Sequence, residues 1–273
     1  MVHLENSEPT HELAAILDVA ISAANKAGEI LLKYYGKAGI HQKSSHNLVT
    51  EADFESEKAV RELILNAFPN HRILGEEGGD IGGSDVDSLW IVDPLDGTNN
   101  YAHGIPQFSV SIAFSHQGTM QVGVVLDPMR NELFTAVFGQ GAKLNGQPIT
   151  VSASTDLTES MIATGFYYDR GEMMEKTLDA IRRLFNANIR GIRRLGSAAL
   201  DIAWVACGRL EGFFEYQLSP WDYAAGALIV REAGGECFDR LGNYHDLDSG
   251  NIVTTNGKIS QAMLNCVHWE TKT

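Results

Sequence analysis

At 273 residues, 44% of them hydrophobic, the chain can bury an ample core as one large domain or two modest ones without disulfide staples. Its 21 basic against 35 acidic residues leave a formal net charge of −14, which disfavours a broad electrostatic footprint on nucleic acid or on an anionic membrane. Three cysteines (Cys207, Cys237, Cys266) without a CxxC pair, a start MVHLENSEPTHEL unlike a signal peptide, and no apolar run of membrane-spanning length together predict a soluble, cytoplasmic protein with reduced thiols.

Leu13, Ile16, Leu17, Ala20, Ala24, Ala27, Leu31 and Tyr34 recur at three- and four-residue steps, which predicts a core-facing helix capped by Thr10 and ended at Gly36. IHQKSSHNLVT at 40–50 reads as an extended piece and a loop, on which Lys43 is by default a solvated charge. Thr50 to Phe68 predicts a second helix, with Thr50 as cap, Phe54, Val60, Leu63, Ile64 and Ala67 inward, and Pro69 as stop. Asp53, near its start, is either the acid of a capping box or a catalytic carboxylate. RILGEEGG at 72–79 is a short apolar strand that breaks into Glu76 and Glu77, adjacent acids that repel unless solvated or countered by a cation. Asp80 to Asp87, with Gly82, Gly83 and Ser84, reads as a mobile surface loop of the kind that serves as a lid.

The stretch WIVDPLDGTNNYAHG at 90–104 organises the rest. Leu89 to Val92 form an apolar strand of the fully buried kind, which stops at once on Asp93, Pro94 and Asp96. The backbone then turns through Gly97, and Thr98 and Asn99 can cap a short helix whose free N–H groups face an anion. Two acids three apart beside a Gly-Thr cradle point to metal-assisted chemistry on a phosphate, because the carboxylates would repel the anion unless divalent cations stood between them. The plain alternative is a well-made turn, since Asp-Pro and Asp-Gly are common turn dipeptides.

From Phe108 to Val151 the pattern is all strand, in segments divided by turns such as Gln117-Gly118 and Asn145-Gly146, which predicts an antiparallel meander. Met161 to Phe166 reads as a strand, and Arg170 to Asn186 as a helix with Met173, Leu178, Ile181, Leu184 and Phe185 on its apolar face. The change from meander to alternating elements places a boundary near 145–155, between an N-terminal α+β sub-domain (1–150) and a C-terminal α/β sub-domain (151–273). Basic Arg190 to Arg194 precede Gly196 and Ser197, which open a helix running to Gly208; its N-terminus could receive a phosphate or sugar hydroxyls, or Ser197 could be a plain N-cap. Gly212 to Tyr216 is a strand with Glu215 near its end. Ser219-Pro220-Trp221-Asp222 is a strong helix start in which Asp222 could be a capping acid. A final strand, NIVTTN, and a helix to about Cys266 close the chain. Asp53, Glu76, Asp93, Asp96, Glu215 and Asp222 all lie at element edges, where loops build sites.

Together, GEE at Gly75 to Glu77, DPLDGT at Asp93 to Thr98 and WDYAAGALIVREAGG at Trp221 to Gly235 resemble the magnesium-dependent, lithium-sensitive inositol monophosphatase family, from LVTEAD at Leu48 to the NIVTTN strand. Tyr101 stands where that family usually has Phe, and the Lys43 to Asp53 loop is one residue shorter than in familiar members, so no role is assigned to Lys43. The resemblance implies a layered α-β-α-β-α sandwich and a homodimer. It implies that Glu76, Asp93 and the Leu95 carbonyl hold one Mg²⁺, that Asp93, Asp96 and Asp222 hold a second, and that a loosely bound third leans on Glu76. Gly97 and Thr98 would receive the phosphate through their N–H groups. Asp53 would pair with the Thr98 hydroxyl and, with Glu76, orient and deprotonate the attacking water. Gly196, Ser197, Ala198 and Glu215 would contact the alcohol half of a small phosphorylated polyol, myo-inositol monophosphate in the first instance; Glu215 stands seven residues before Asp222, the family's interval. Hard carboxylate oxygens suit Mg²⁺, so no covalent phospho-enzyme is required. Losing Asp93 is then expected to abolish activity, and losing Glu215 to weaken or alter substrate choice.

Three rivals stand beside this. A haloacid dehalogenase type of phosphatase has its motif acids two apart, not three, and has no place for GEE or WD. Within the family, the substrate could be fructose 1,6-bisphosphate, histidinol phosphate, a 3′-phosphonucleotide or NADP. A protein-binding regulator acting on the transcription machinery, as some bacterial relatives do, is the reading of a different class.

Overall fold

The computed structural model describes residues 8–37, 40–42, 48–166 and 170–269, with side chains from 12–37, 51–166 and 170–269. Lys43 and the side chains proposed as caps, Thr10 and Thr50, lie outside these. Helix α1 (Glu8–Tyr34) starts two residues ahead of Thr10 and leads to the hairpin β1 (Ile40–Gln42) and β2 (Leu48–Thr50), then to α2 (Glu51–Ala67). Next come β3 (His71–Gly75), β4 (Gly79–Ile81), β5 (Asp85–Asp96) and the short α3 (Thr98–Ala102). The meander follows as β6 (Ser109–His116), β7 (Thr119–Asp127), β8 (Glu132–Val137), β9 (Ala142–Leu144) and β10 (Gln147–Ile149). Beyond it lie β11 (Met161–Thr164), α4 (Glu172–Asn186), β12 (Gly191–Arg193), α5 (Ala198–Ala206), β13 (Gly212–Glu215), α6 (Pro220–Glu232), β14 (Glu236–Phe238), β15 (Ile252–Thr255) and α7 (Ser260–Val267).

Eight strands form one sheet in the order β10-β9-β8-β7-β6-β5-β3-β4, antiparallel except for β3 beside β5; five form a second, β12-β11-β13-β15-β14. The predicted meander is β6 to β10, and its turns at Gln117-Gly118 and Asn145-Gly146 have positive φ at both central residues, as a two-residue hairpin matched to sheet twist needs.

Alternation along β5 divides the core. Trp90 and Val92 point to α1 and α2, where Ile16, Ala20, Ala24, Val60 and Ile64 are fully buried. Ile91 points the other way, with Ala113, Val125 and Phe134, onto α5 and α6, which also bury against Phe213 and Ile252 of the second sheet. That sheet's far face, through Ile162, Phe214 and Val253, carries α4 and α7. The layers are therefore α-β-α-β-α, as expected. Gly123 of β7 makes the central packing possible, since a Cβ there would come within 2.7 Å of the Ala225 carbonyl oxygen on α6.

Several local expectations need correction. Asp80 to Asp87 is not an open loop, because Gly79–Ile81 pairs antiparallel with β3 and β5 begins at Asp85. On α2, Phe54 is exposed (51%) and Ala67 is exposed; the helix turns Ala52, Asp53, Ser56 and Glu57 inward along with the expected Val60 and Ile64, so its buried face is partly polar. On α4, Leu178 and Phe185 are also exposed; the buried stripe is Thr177, Ala180 and Leu184, with Met173 and Ile181 packed partly buried beside it. Among the described residues, no helix is long and apolar enough to cross a membrane.

Candidate active site

The site forms where β5 ends. Its register against β6 shifts between Asp93↔Ser111 and Asp96↔Ser109, a bulge placed on Pro94, which has no N–H to give a ladder. The Leu95 N–H donates to Asp93 Oδ1 (2.9 Å), so the acid's own carboxylate shapes the turn that follows it. Gly97 then adopts φ +93°, and a Cβ on it would lie 3.0 Å from Gln107 O and 3.1 Å from Gly196 O. Glycine is needed there on both counts. Gly97, not Thr98, is the N-cap of α3. The Thr98 hydroxyl donates to the Leu95 carbonyl at 3.0 Å, so its one proton is not available to Asp53 in this arrangement. The first turn of α3 closes from Tyr101 N–H to Gly97 O, leaving the N–H groups of Gly97 and Thr98 outside the helix ladder.

Asp93, Asp96 and Asp222 converge: one carboxylate oxygen from each lies within 4.8 Å of the others. Asp222 reaches the group from the other half of the chain. The Ser219-Pro220 start of α6 is a capping box, with Asp222 Oδ2 accepting the Ser219 N–H at 2.7 Å, and the Ser111 hydroxyl ties this helix start to β6 by donating to Trp221 O (3.0 Å). The capping role is therefore real, and it coexists with membership of the acidic group. Asp96 Oδ2 accepts the Ser197 hydroxyl (2.5 Å), the Ala199 N–H (2.8 Å) and the Ser109 hydroxyl (3.4 Å). Ser197 starts α5 but its side chain makes no cap; it is spent on Asp96.

Burial, then Glu76, Asp96, Asp222 and Asp53, hold the Asp93 carboxyl well above the usual carboxylate range. Burial and Asp96 do the same to Asp222, with Glu76 and Glu215 adding. Burial raises Asp96 as well, against the hydrogen bonds it receives from Ser197, Ala199, Ala198 and Ser109. Acids that crowd one another want positive charge between them, and an all-oxygen set of carboxylates is what a hard divalent cation takes. The residues present fit Mg²⁺.

Glu215, at the end of β13, is pushed up to about 8 by burial, with Arg194 opposing and Asp96 reinforcing. Gly165 makes room for it, since a Cβ there would overlap its carboxylate. Gly196 and Ala198 flank Ser197, and Asn100 Nδ2 donates to both Gln107 O (2.8 Å) and Leu195 O (2.7 Å), which binds the segment before Gly196 to the turn after Gly97. Three residues of this neighbourhood escaped the sequence reading. Asn100 was legible only as part of a motif. Asp201, 1% exposed and held well above the usual range by burial, Asp96 and Glu215, stood out only as an acid in an apolar helix. Glu57, buried on α2, gave no signal beyond its spacing of four from Asp53.

The chain matches the profile described as the inositol monophosphatase family over residues 12–273. The Nus factor SuhB of Escherichia coli strain K12 is 44% identical over 252 residues, 91% of this chain and 94% of that protein. The crystal structure of the extragenic suppressor protein suhB from Bartonella henselae superposes with a TM-score of 0.89 at 40% identity, covering 94% of this chain and 100% of that one. An inositol monophosphatase structure from Anabaena (Nostoc) sp. PCC 7120 gives 0.85 at 42% identity, covering 93% and 96%.

Proposed function

Because the chain belongs to the inositol monophosphatase family, we propose that it is a Mg²⁺-dependent phosphomonoesterase that hydrolyses myo-inositol monophosphate to inositol and phosphate. The observation that carries this is the trio Asp93, Asp96 and Asp222, the first two buried and the third half-buried, brought together as an all-carboxylate group. With Glu76 and the Leu95 carbonyl they would hold two or three Mg²⁺. Bound there, Mg²⁺ supplies a water of lowered pKa and neutralises charge on the phosphoryl oxygens. The Leu95 carbonyl has a second lone pair beyond the one the Thr98 hydroxyl uses. Gly97 and Thr98 offer backbone N–H groups to the phosphate; Glu76 and Asp53 orient the attacking water and accept its proton, and the Thr98 hydroxyl, whose proton goes to the Leu95 carbonyl, helps orient it through its oxygen. Ser197 gives its hydroxyl to Asp96, so it meets the alcohol through its backbone, beside Gly196 and Ala198, and Glu215 takes the sugar hydroxyls. A homodimer accompanies this reading, and three unpaired cysteines support a reducing, cytoplasmic location.

The test is turnover of myo-inositol 1-phosphate, fructose 1,6-bisphosphate, histidinol phosphate, a 3′-phosphonucleotide and NADP, each with Mg²⁺ and with excess chelator. Preference for the first, abolished by chelator and by Asp93→Asn, is the expected result; equal cleavage in chelator would end the proposal. A second reading, an added role in transcription, draws on the E. coli relative's name as a Nus factor. Capture of transcription factors that persists in Asp93→Asn would separate it from catalysis.

A further inference from the structure

The turn that bears Glu76 is held by two charged side chains that the reaction above does not use. Glu57, on the inward face of α2, is only 3% exposed. Its Oε2 accepts the Glu77 N–H at 2.7 Å and its Oε1 accepts the Gly78 N–H at 2.8 Å. Arg61, one helical turn on and itself largely buried, pairs with the same carboxylate. The turn is shaped around this pair: a Cβ at Gly78 would overlap the Arg61 guanidinium, and one at Gly75 would sit 3.1 Å from both Glu57 Oε1 and Arg61 Nη2.

Glu76 lies between these anchors. Its own N–H donates to Val92 O at 3.3 Å, and Val92 immediately precedes Asp93. The peptide before Glu76 is thereby fixed to the strand that carries Asp93, and the two peptides after it are fixed to Glu57. A buried ion pair alone could be a staple of α2 onto β3. What this one grips, however, is the backbone directly after a carboxylate that must meet Asp93 at a set distance, and charged acceptors of backbone N–H groups make strong, directional anchors. Outer partners of this kind set how tightly a ligand holds its cation.

We propose that Glu57, neutralised by Arg61, is a positioning residue that fixes the Glu76 carboxylate for Mg²⁺ binding; this rests on the reading of Glu76 as a Mg²⁺ ligand. The experiment is calorimetric titration of the full chain with Mg²⁺ for the wild type, Glu57→Gln, Glu76→Gln and the double variant, with thermal unfolding in chelator to establish folding. Glu57→Gln is expected to weaken Mg²⁺ binding about 10- to 100-fold. The double variant is expected to bind no more weakly than Glu76→Gln alone, since the effect of Glu57 passes through Glu76. Wild-type affinity in Glu57→Gln, or losses that simply add in the double variant, would overturn the proposal. Wild-type affinity in Glu76→Gln would instead refute the ligand reading beneath it. Should Glu57→Gln not fold, Gly78→Ala displaces only the tip of Arg61 and enters the same cycle with the same expected coupling.

Discussion

Asp93→Asn should change the sign of its effect on stability when Mg²⁺ is added. In wild type without metal, carboxylate oxygens of Asp93, Asp96 and Asp222 lie within 4.8 Å of one another. At an effective dielectric near 20, each fully ionised pair at that distance repels by about 3 kcal/mol. The site relieves much of this by keeping protons, which is the meaning of the raised Asp93 and Asp222 carboxyls, so the residual strain on the metal-free fold is about 1–3 kcal/mol. Asparagine removes the charge yet keeps the Oδ1 that accepts the Leu95 N–H at 2.9 Å. In chelator the variant should therefore melt higher than wild type, by roughly 2–6 °C at about 2 °C per kcal/mol for a chain of this size. Mg²⁺ at a hundred times its dissociation constant adds about 2.7 kcal/mol to a protein that binds it only when folded. The wild type should gain this and the variant little of it, reversing the order. Scanning calorimetry of both proteins at one pH, with Mg²⁺ and with chelator, reads the result directly. A variant less stable than wild type in chelator, or an equal gain from Mg²⁺ in both, would refute the reasoning.

Ser197→Ala removes the 2.5 Å donor to Asp96 and leaves the Ala199 N–H at 2.8 Å, so the Mg²⁺ concentration for half-maximal turnover should rise roughly 10- to 100-fold, as loss of a charge-assisted hydrogen bond implies; a Mg²⁺ activation curve measures it. Gly123→Ala would put a methyl 2.7 Å from Ala225 O and 3.2 Å from Ala225 Cα, where two backbones meet, and should cost about 1–3 kcal/mol in urea unfolding with an unchanged denaturant slope. Burial, with Arg231 adding, holds the His245 imidazole down to about 4, and it is 6% exposed. Its unfolded counterpart takes up a proton near 6.5, so this contribution to stability is full above that pH and is lost as pH falls from there towards 4, by about 3 kcal/mol in all. His245→Phe should flatten that part of the urea midpoint's pH profile, and an unchanged slope would show that another group is responsible.

Much of the fold was legible because local chemistry and tertiary need coincide. Asn145-Gly146 writes a hairpin in two residues, and Ser219-Pro220-Trp221-Asp222 writes a helix start whose capping box is present. What was misread on the helices shares one cause. Phe54, Leu178 and Phe185 are apolar and fall near helical periods, yet which stripe of a helix is buried depends on what covers it, and all three are exposed. Gly79–Ile81 gave no strand signal because it is a three-residue edge strand with no alternating apolar face, held by its backbone ladder and by the Arg72–Asp80 ion pair.

The sequence by itself determined which carboxylates sit at element ends, since an acid that interrupts an apolar strand or opens a helix marks its own boundary. Only the tertiary structure decided that Asp222 meets Asp93 and Asp96 across more than a hundred residues of chain, that Ser197 serves Asp96 instead of capping its helix, and that Glu57 grips the turn after Glu76. The physical reason is range: caps, turns and periodicity act over a few residues, whereas a shared charge site exists only after two sheets have closed on the helices between them.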